Sequence, residues 1–134
     1  MKDKLRDFGL LVLRLGFGLG IAYHGYGKVF GGWMEKFIGG VAEMGFPAPA
    51  FFAWAAALSE FAGGLLLAAG LFTRPAAYFV AVTMAVAAFG RHGADPFEKK
   101  ELALAFLFAS LAIALTGPGR YSLRCLFCKC EEKS

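Results

Sequence analysis

The sequence predicts an all-α integral membrane protein, a four-helix bundle with a short interfacial helix between its first and second spans. Three observations carry this prediction. Of the 134 residues, 58% are hydrophobic and 18% charged, with a mean hydropathy of +0.59. A soluble domain has about 45–50% apolar and about 25% charged residues. The charges gather between long apolar runs instead of spreading over every helix. Those runs approach the roughly 20 residues, range about 17–25, that a helix needs to cross a bilayer.

The same composition excludes other classes. A disordered chain would have low hydrophobicity and high net charge. A disulfide-dense mini-domain would need more than the 3 cysteines present. The 18 glycines and 15 phenylalanines suit closely packed helices facing lipid. The basic residues are scattered around the ends of the apolar runs, so no nucleic-acid stripe forms. There is no phosphate loop and no dinucleotide fingerprint, and the glycines from Gly16 to Gly20 read as helix packing.

The elements follow in order. The first span covers about 8–29, where Arg14 is the one formal charge between Asp7 and Lys28. A short helix follows: Trp33, Met34, Phe37, Ile38 and Val41 recur at helical spacing, with Glu35, Lys36 and Glu43 mostly opposite. Phe46-Pro47-Ala48-Pro49 breaks the chain before the second span, about 50–72, whose one charge is Glu60. Thr73-Arg74-Pro75 is a tight turn into the third span, about 75–91, where Arg74 or Arg91 reaches an interface by snorkelling. Arg91 to Lys100 is a polar loop, and the fourth span, about 101–118, ends at Gly117-Pro118-Gly119. Residues 1–124 thus make a single four-span domain, and 125–134 a cysteine-containing tail.

A soluble bundle would need polar outer faces, whereas Leu102 to Leu115 offers only Ser110. A cleaved signal peptide would be followed by a soluble domain, whereas further apolar spans follow here. With four spans, both termini share a side with the 73–75 turn. That side holds nine of the 14 Lys and Arg residues: Lys2, Lys4, Arg6, Arg14, Arg74, Arg120, Arg124, Lys129 and Lys133. The termini are therefore predicted cytoplasmic.

Glu60 is the first candidate for chemistry. A carboxylate in mid-membrane costs about 2.5–3.5 kcal/mol on insertion scales, so it should face the interior and have a partner. It acts either as a packing latch, paired with Arg14 or hydrogen-bonded, or as a proton relay or ligand site. Counting about 1.5 Å per residue, Glu60 lies roughly 18 Å from the cytoplasmic end, Arg14 about 9 Å and His24 about 24 Å. Arg14, His24 and Lys28 fall within about 80° on the first helix and line one stripe. With Arg91, His92 and Glu101 near the outer leaflet, His24 and Lys28 would form a polar cup above Glu60. The alternative for this set is interface anchoring. Such a cup, walled by Phe and Tyr, would suit a quinone head group, with His24 and Glu60 as its proton-exchanging groups.

Three segments then resemble the DoxX family: Arg14-Leu-Gly-Phe-Gly-Leu-Gly-Ile-Ala-Tyr-His-Gly-Tyr-Gly-Lys28, Glu60-Phe-Ala-Gly-Gly-Leu-Leu-Leu-Ala-Ala-Gly-Leu-Phe-Thr-Arg74 and Gly117-Pro-Gly-Arg-Tyr-Ser-Leu123. The likeness runs from about Leu10 to Leu123. It implies a small four-helix protein of the prokaryotic inner membrane, with relatives that include a subunit of thiosulfate:quinone oxidoreductase and proteins linked to quinone, catechol or sulfur-redox stress; a subunit of this kind would work with a redox partner. The closing motif departs from the family pattern, which continues with Asp where Arg124 stands here.

Cys125, Cys128 and Cys130 lie within six residues. They have no dedicated role, hold a metal or relay redox equivalents; three thiolates are one short of a tetrahedral zinc set. On a cytoplasmic tail the thiols should be reduced. Two function classes remain: a quinone- or sulfur-redox-associated membrane subunit, or a small-solute or proton-coupled transporter or non-catalytic scaffold. Four short helices enclose little volume, which leaves room for a homodimer through Gly16 and Gly20 or through the Ala-rich faces.

Overall fold

The computed structural model describes residues 2–91 and 96–128, and among these every regular element is helical. The helices are α1 (Lys2–Phe30), α2 (Met34–Glu43), α3 (Pro49–Ala69), α4 (Thr73–Val86), α5 (Phe97–Thr116) and α6 (Leu123–Cys128). A π-helical turn, Ala87–Arg91, extends α4. Among the described residues, two segments are long and apolar enough to cross a membrane, Pro49–Ala69 and Thr73–Gly90, with 18-residue stretches of mean hydropathy 1.6 and 1.2. The first four residues of α5 after Phe97 are Glu98, Lys99, Lys100 and Glu101, which shortens its uncharged stretch.

Local chemistry sets the ends. Pro49 opens α3 at its first turn, where its missing N–H leaves nothing unpaired. Gly70 closes α3 with φ +78, and the Gly70 and Leu71 amides both donate to the Leu66 carbonyl, at 2.8 and 3.0 Å. The turn into α4 is tight enough to hold Phe72, a non-glycine residue, at φ +45.

The four long helices pack in a ring: α1 on α3, α3 on α4, α4 on α5, with a lighter contact from α5 back to α1. The α1–α3 seam is made by glycines. A methyl at Gly18 would stand 2.7 Å from the Gly64 carbonyl oxygen, and one at Gly64 would stand 2.6 Å from the Ala22 nitrogen. Only backbone meeting backbone fits there. Across the ring, Ile21, Leu67, Val80, Met84, Leu107 and Ile113 form the core. α2 lies against α3, burying Met34 and Val41 on Ala53 and Ala57. Outside, Phe79, Phe108 and Leu115 are 66%, 65% and 77% exposed, so large apolar side chains face out as well as in.

The structure departs from the sequence expectations at several places. α1 extends from the expected first span back to Lys2, and Asp7 is buried. The third segment ends in a π-helical turn. The start of the tail is helical, because α6 includes Cys125.

Candidate functional site

Glu60 faces the interior of the ring at 2% exposure. Its partner is Lys28, whose Nζ donates to Glu60 Oε1 at 2.9 Å and Oε2 at 2.8 Å. The sequence expectation had set Arg14 and His24 as the nearest partners by depth. The difference has a geometric cause. Helical side chains lean toward the N-terminus of their own helix. α1 and α3 run in opposite directions, so Lys28 and Glu60 lean toward each other and close the gap in height. The Lys28 ammonium also sits 4.2 Å from the centre of the Phe37 ring of α2, a favourable cation–π position.

Two cavities meet at this pair. The larger, about 580 Å³, lies between α2, α3 and α4 and is walled by Phe37, Met44, Phe46, Phe52, Phe79 and Val82 among others. Lys28 and Glu60 are its charged members, joined by Ser59 and Thr83. The Thr83 hydroxyl already donates to the Phe79 carbonyl at 2.9 Å. The smaller cavity, about 140 Å³, lies where α1 meets α5 and is lined by His24, Lys28 and Glu60 with Ile21, Met84 and Phe106. The His24 ring sits edge-on to Phe106, with centroids 5.7 Å apart, and to Tyr23 at 6.5 Å.

Of the expected cup, the structure brings His24, Lys28 and Glu60 together. Glu101 is exposed near the start of α5 and lines neither cavity. The Arg91 side chain and His92 lie outside the described residues. Arg14 is elsewhere: fully buried, it donates through Nη2 to the Tyr121 carbonyl. A methyl at Gly70 would collide with the Arg14 Nη1. Arg14 therefore fastens the closing segment onto α1 and α3 and takes no part in the cup. The stripe it was assigned to is real in angle, but Arg14 points at α3 and Tyr121 while His24, about 80° round the helix, points at α5.

The tail corrects a further expectation. Cys125 is disulfide-bonded instead of reduced, so its sulfur is no free thiolate for a metal or a redox attack. The Cys128 side chain and Cys130 lie outside the described residues. No group of three metal-ligating side chains occurs among the described residues.

The sequence did not point to the wall of the large cavity. Phe37 and Met44 come from α2 and its end, and Phe46 from the linker that follows. The helical spacing of Met34, Phe37, Ile38 and Val41 was a signal for a buried face, here turned onto α3. Asp7 was also missed, although its seven-residue spacing to Arg14 put both on one face of α1.

The comparisons agree with one another. The family model described as DoxX matches residues 9–93. The chain is 32% identical over 127 residues, 90% of its length, to the "Inner membrane protein YqjF" of Escherichia coli (strain K12), of which 92% is covered. No solved structure matches.

Proposed function

The chain belongs to the DoxX family, and from that premise we propose that it is a four-span inner-membrane protein that binds a neutral, lipid-soluble ligand of the quinone class. α1, α3, α4 and α5 are the spans and α2 lies in the interface. The relative of similar length is named for the inner membrane, and the outward-facing Phe and Leu side chains support the same placement.

The observation that carries the ligand reading is the large cavity with its single ion pair. At about 580 Å³ it falls in the usual range for small-molecule sites, about 300–1,000 Å³. Its walls are mostly apolar, and its two charges cancel, which favours a neutral ligand. Quinone chemistry needs a donor at a carbonyl oxygen and a group that can take or give a proton. Lys28 supplies the first and Glu60 the second, with His24 nearby as a further exchanging group. Electrons would be exchanged with a redox partner subunit. A homodimer through Gly16 remains compatible, since a methyl there would meet nothing within 4 Å.

Both termini are placed in the cytoplasm on the distribution of basic residues, nine of 14. The Cys125 disulfide pulls the other way, because such bonds persist in oxidising compartments. The basic residues act along the whole chain and the bridge is a single bond, so the basic count carries the orientation.

The test is equilibrium binding of a decyl-substituted benzoquinone to the full chain in nanodiscs, read by quenching of Trp33 and Trp54. Saturable binding that weakens strongly in Lys28→Met and persists in Leu115→Ala, on the outer face of α5, supports the site. Equal binding by wild type and Lys28→Met refutes it.

A further inference from the structure

We infer that the small cavity between α1 and α5 is a water-filled approach to the Lys28–Glu60 pair, opposite the lipid-side approach through the large cavity. The inference rests on the reading of the large cavity as the ligand site and assigns the second cavity a different task, the supply of protons.

The pair forms a common wall. Lys28, Glu60 and Ala87 line both cavities. The two sides differ in chemistry. The small cavity, about 140 Å³, has room for about four waters at roughly 30 Å³ each. A buried water needs two to four polar partners, and His24, Lys28 and Glu60 all line the cavity. The large cavity holds the same pair but otherwise only two hydroxyls, one of them already bonded to a carbonyl. The polar residues are three of nine on the small side and four of sixteen on the large side, where aromatic and aliphatic side chains dominate the wall.

Position agrees with chemistry. Lys28 is two residues from the end of α1, and Leu102 and Ala103 on the far wall are within two turns of the start of α5. The small cavity therefore sits near the water-facing end of both helices. His24 is exposed at its edge. An imidazole can take a proton on one nitrogen and release one from the other. The titratable groups facing His24 are Tyr23 and Lys28 from α1 and Glu60 from α3. α4 and its π-helical extension contribute Met84 and Ala87, and α5 contributes Leu102, Ala103 and Phe106.

The arrangement gives proton arrival a consequence. A proton reaching Glu60 turns the carboxylate into a carboxylic acid. The ion pair is then broken, and the Lys28 ammonium keeps its charge and becomes free to donate to a ligand carbonyl. One proton is consumed and no electrons move, so ligand capture becomes coupled to uptake of one proton from the aqueous side.

The experiment places single cysteines in the full chain, one cavity at a time, in liposomes. Ala103→Cys reports the small cavity and Ala56→Cys the large one. Leu102→Cys and Val82→Cys repeat the comparison should either first choice fail to fold. Each is treated with a trimethylammonium methanethiosulfonate, which is charged, and separately with phenylmaleimide, which is lipophilic. Adducts are located by peptide mass spectrometry so that the native cysteines do not interfere. The charged reagent should modify Ala103→Cys at least about tenfold faster than Ala56→Cys, because a charge is strongly disfavoured in hydrocarbon. Phenylmaleimide should modify Ala56→Cys readily. Equal rates with the charged reagent, or faster reaction at Ala56→Cys, overturn the inference. Failure of the quinone to bind, with this pattern intact, overturns the ligand reading alone.

Discussion

Lys28→Met should be the most damaging single change at the ion pair, and more damaging than Glu60→Gln. The methionine keeps most of the apolar stem but removes the ammonium. It leaves the Glu60 carboxylate, whose side chain is 3% exposed, without its partner. Removing one member of a buried pair costs about 3–5 kcal/mol. Lys28 is 24% exposed, so this pair is not fully buried and the lower end, about 3 kcal/mol, is expected. Glu60→Gln strands the other charge. That charge has a better alternative, because Lys28 still reaches solvent, still sits over Phe37 and can still donate to the amide oxygen. The loss there should be about 1 kcal/mol, the scale of one net hydrogen bond.

The double variant separates coupling from simple damage. Once Lys28 is methionine, replacing the stranded carboxylate by an amide should restore about 1–2 kcal/mol, since an uncharged buried group costs less than an unpaired charge. The assay is reversible unfolding in mixed micelles with increasing dodecyl sulfate, followed by tryptophan fluorescence. If the double variant is as unstable as the two single losses added together, the pair is not coupled. The claim that Lys28 exists to hold Glu60 would then fall. Equal losses in the two single variants would refute the asymmetry drawn from burial.

Two further outcomes are expected. Arg14→Leu removes the donor to the Tyr121 carbonyl, a hydrogen bond from a charged group, and should cost about 1.5–3 kcal/mol; faster tryptic cleavage at Arg120 and Arg124 than in wild type checks that the closing segment has come loose. For orientation, a green fluorescent protein fused after Ser134 should fluoresce in cells and a fused alkaline phosphatase should be inactive, the reverse result placing the C-terminus outside.

Much of this molecule was legible in the sequence because its signals are local. Apolar runs, proline and glycine breaks and the spacing of Met34, Phe37, Ile38 and Val41 each act within one helix. They marked the chain as all-helical, and they singled out Glu60, His24 and Lys28. α1 reaches back to Lys2, beyond the apolar stretch, because backbone hydrogen bonding lets a helix continue where its side chains turn polar. α6 was missed because six residues carry too little periodicity to register.

Which residues meet was decided by packing. Depth along a straight helix ranked Arg14 and His24 as partners for Glu60, but side-chain lean and antiparallel helices brought Lys28 to it. Arg14 had the same charge and nearly the same face, yet the turn at Gly70 and the carbonyl of Tyr121 captured it. No local pattern encodes the carbonyl of a residue 107 positions away. The two cavities are likewise products of assembly. They lie between helices, and their volume depends on how closely glycine lets α1 approach α3 and on how lightly α5 returns to α1. The sequence by itself determined that an acid had to be buried and neutralised among apolar helices, because lipid and core offer a charge no other refuge. The tertiary structure decided that a lysine would neutralise it between two unlike cavities, because only the packed helices fix distance and direction together.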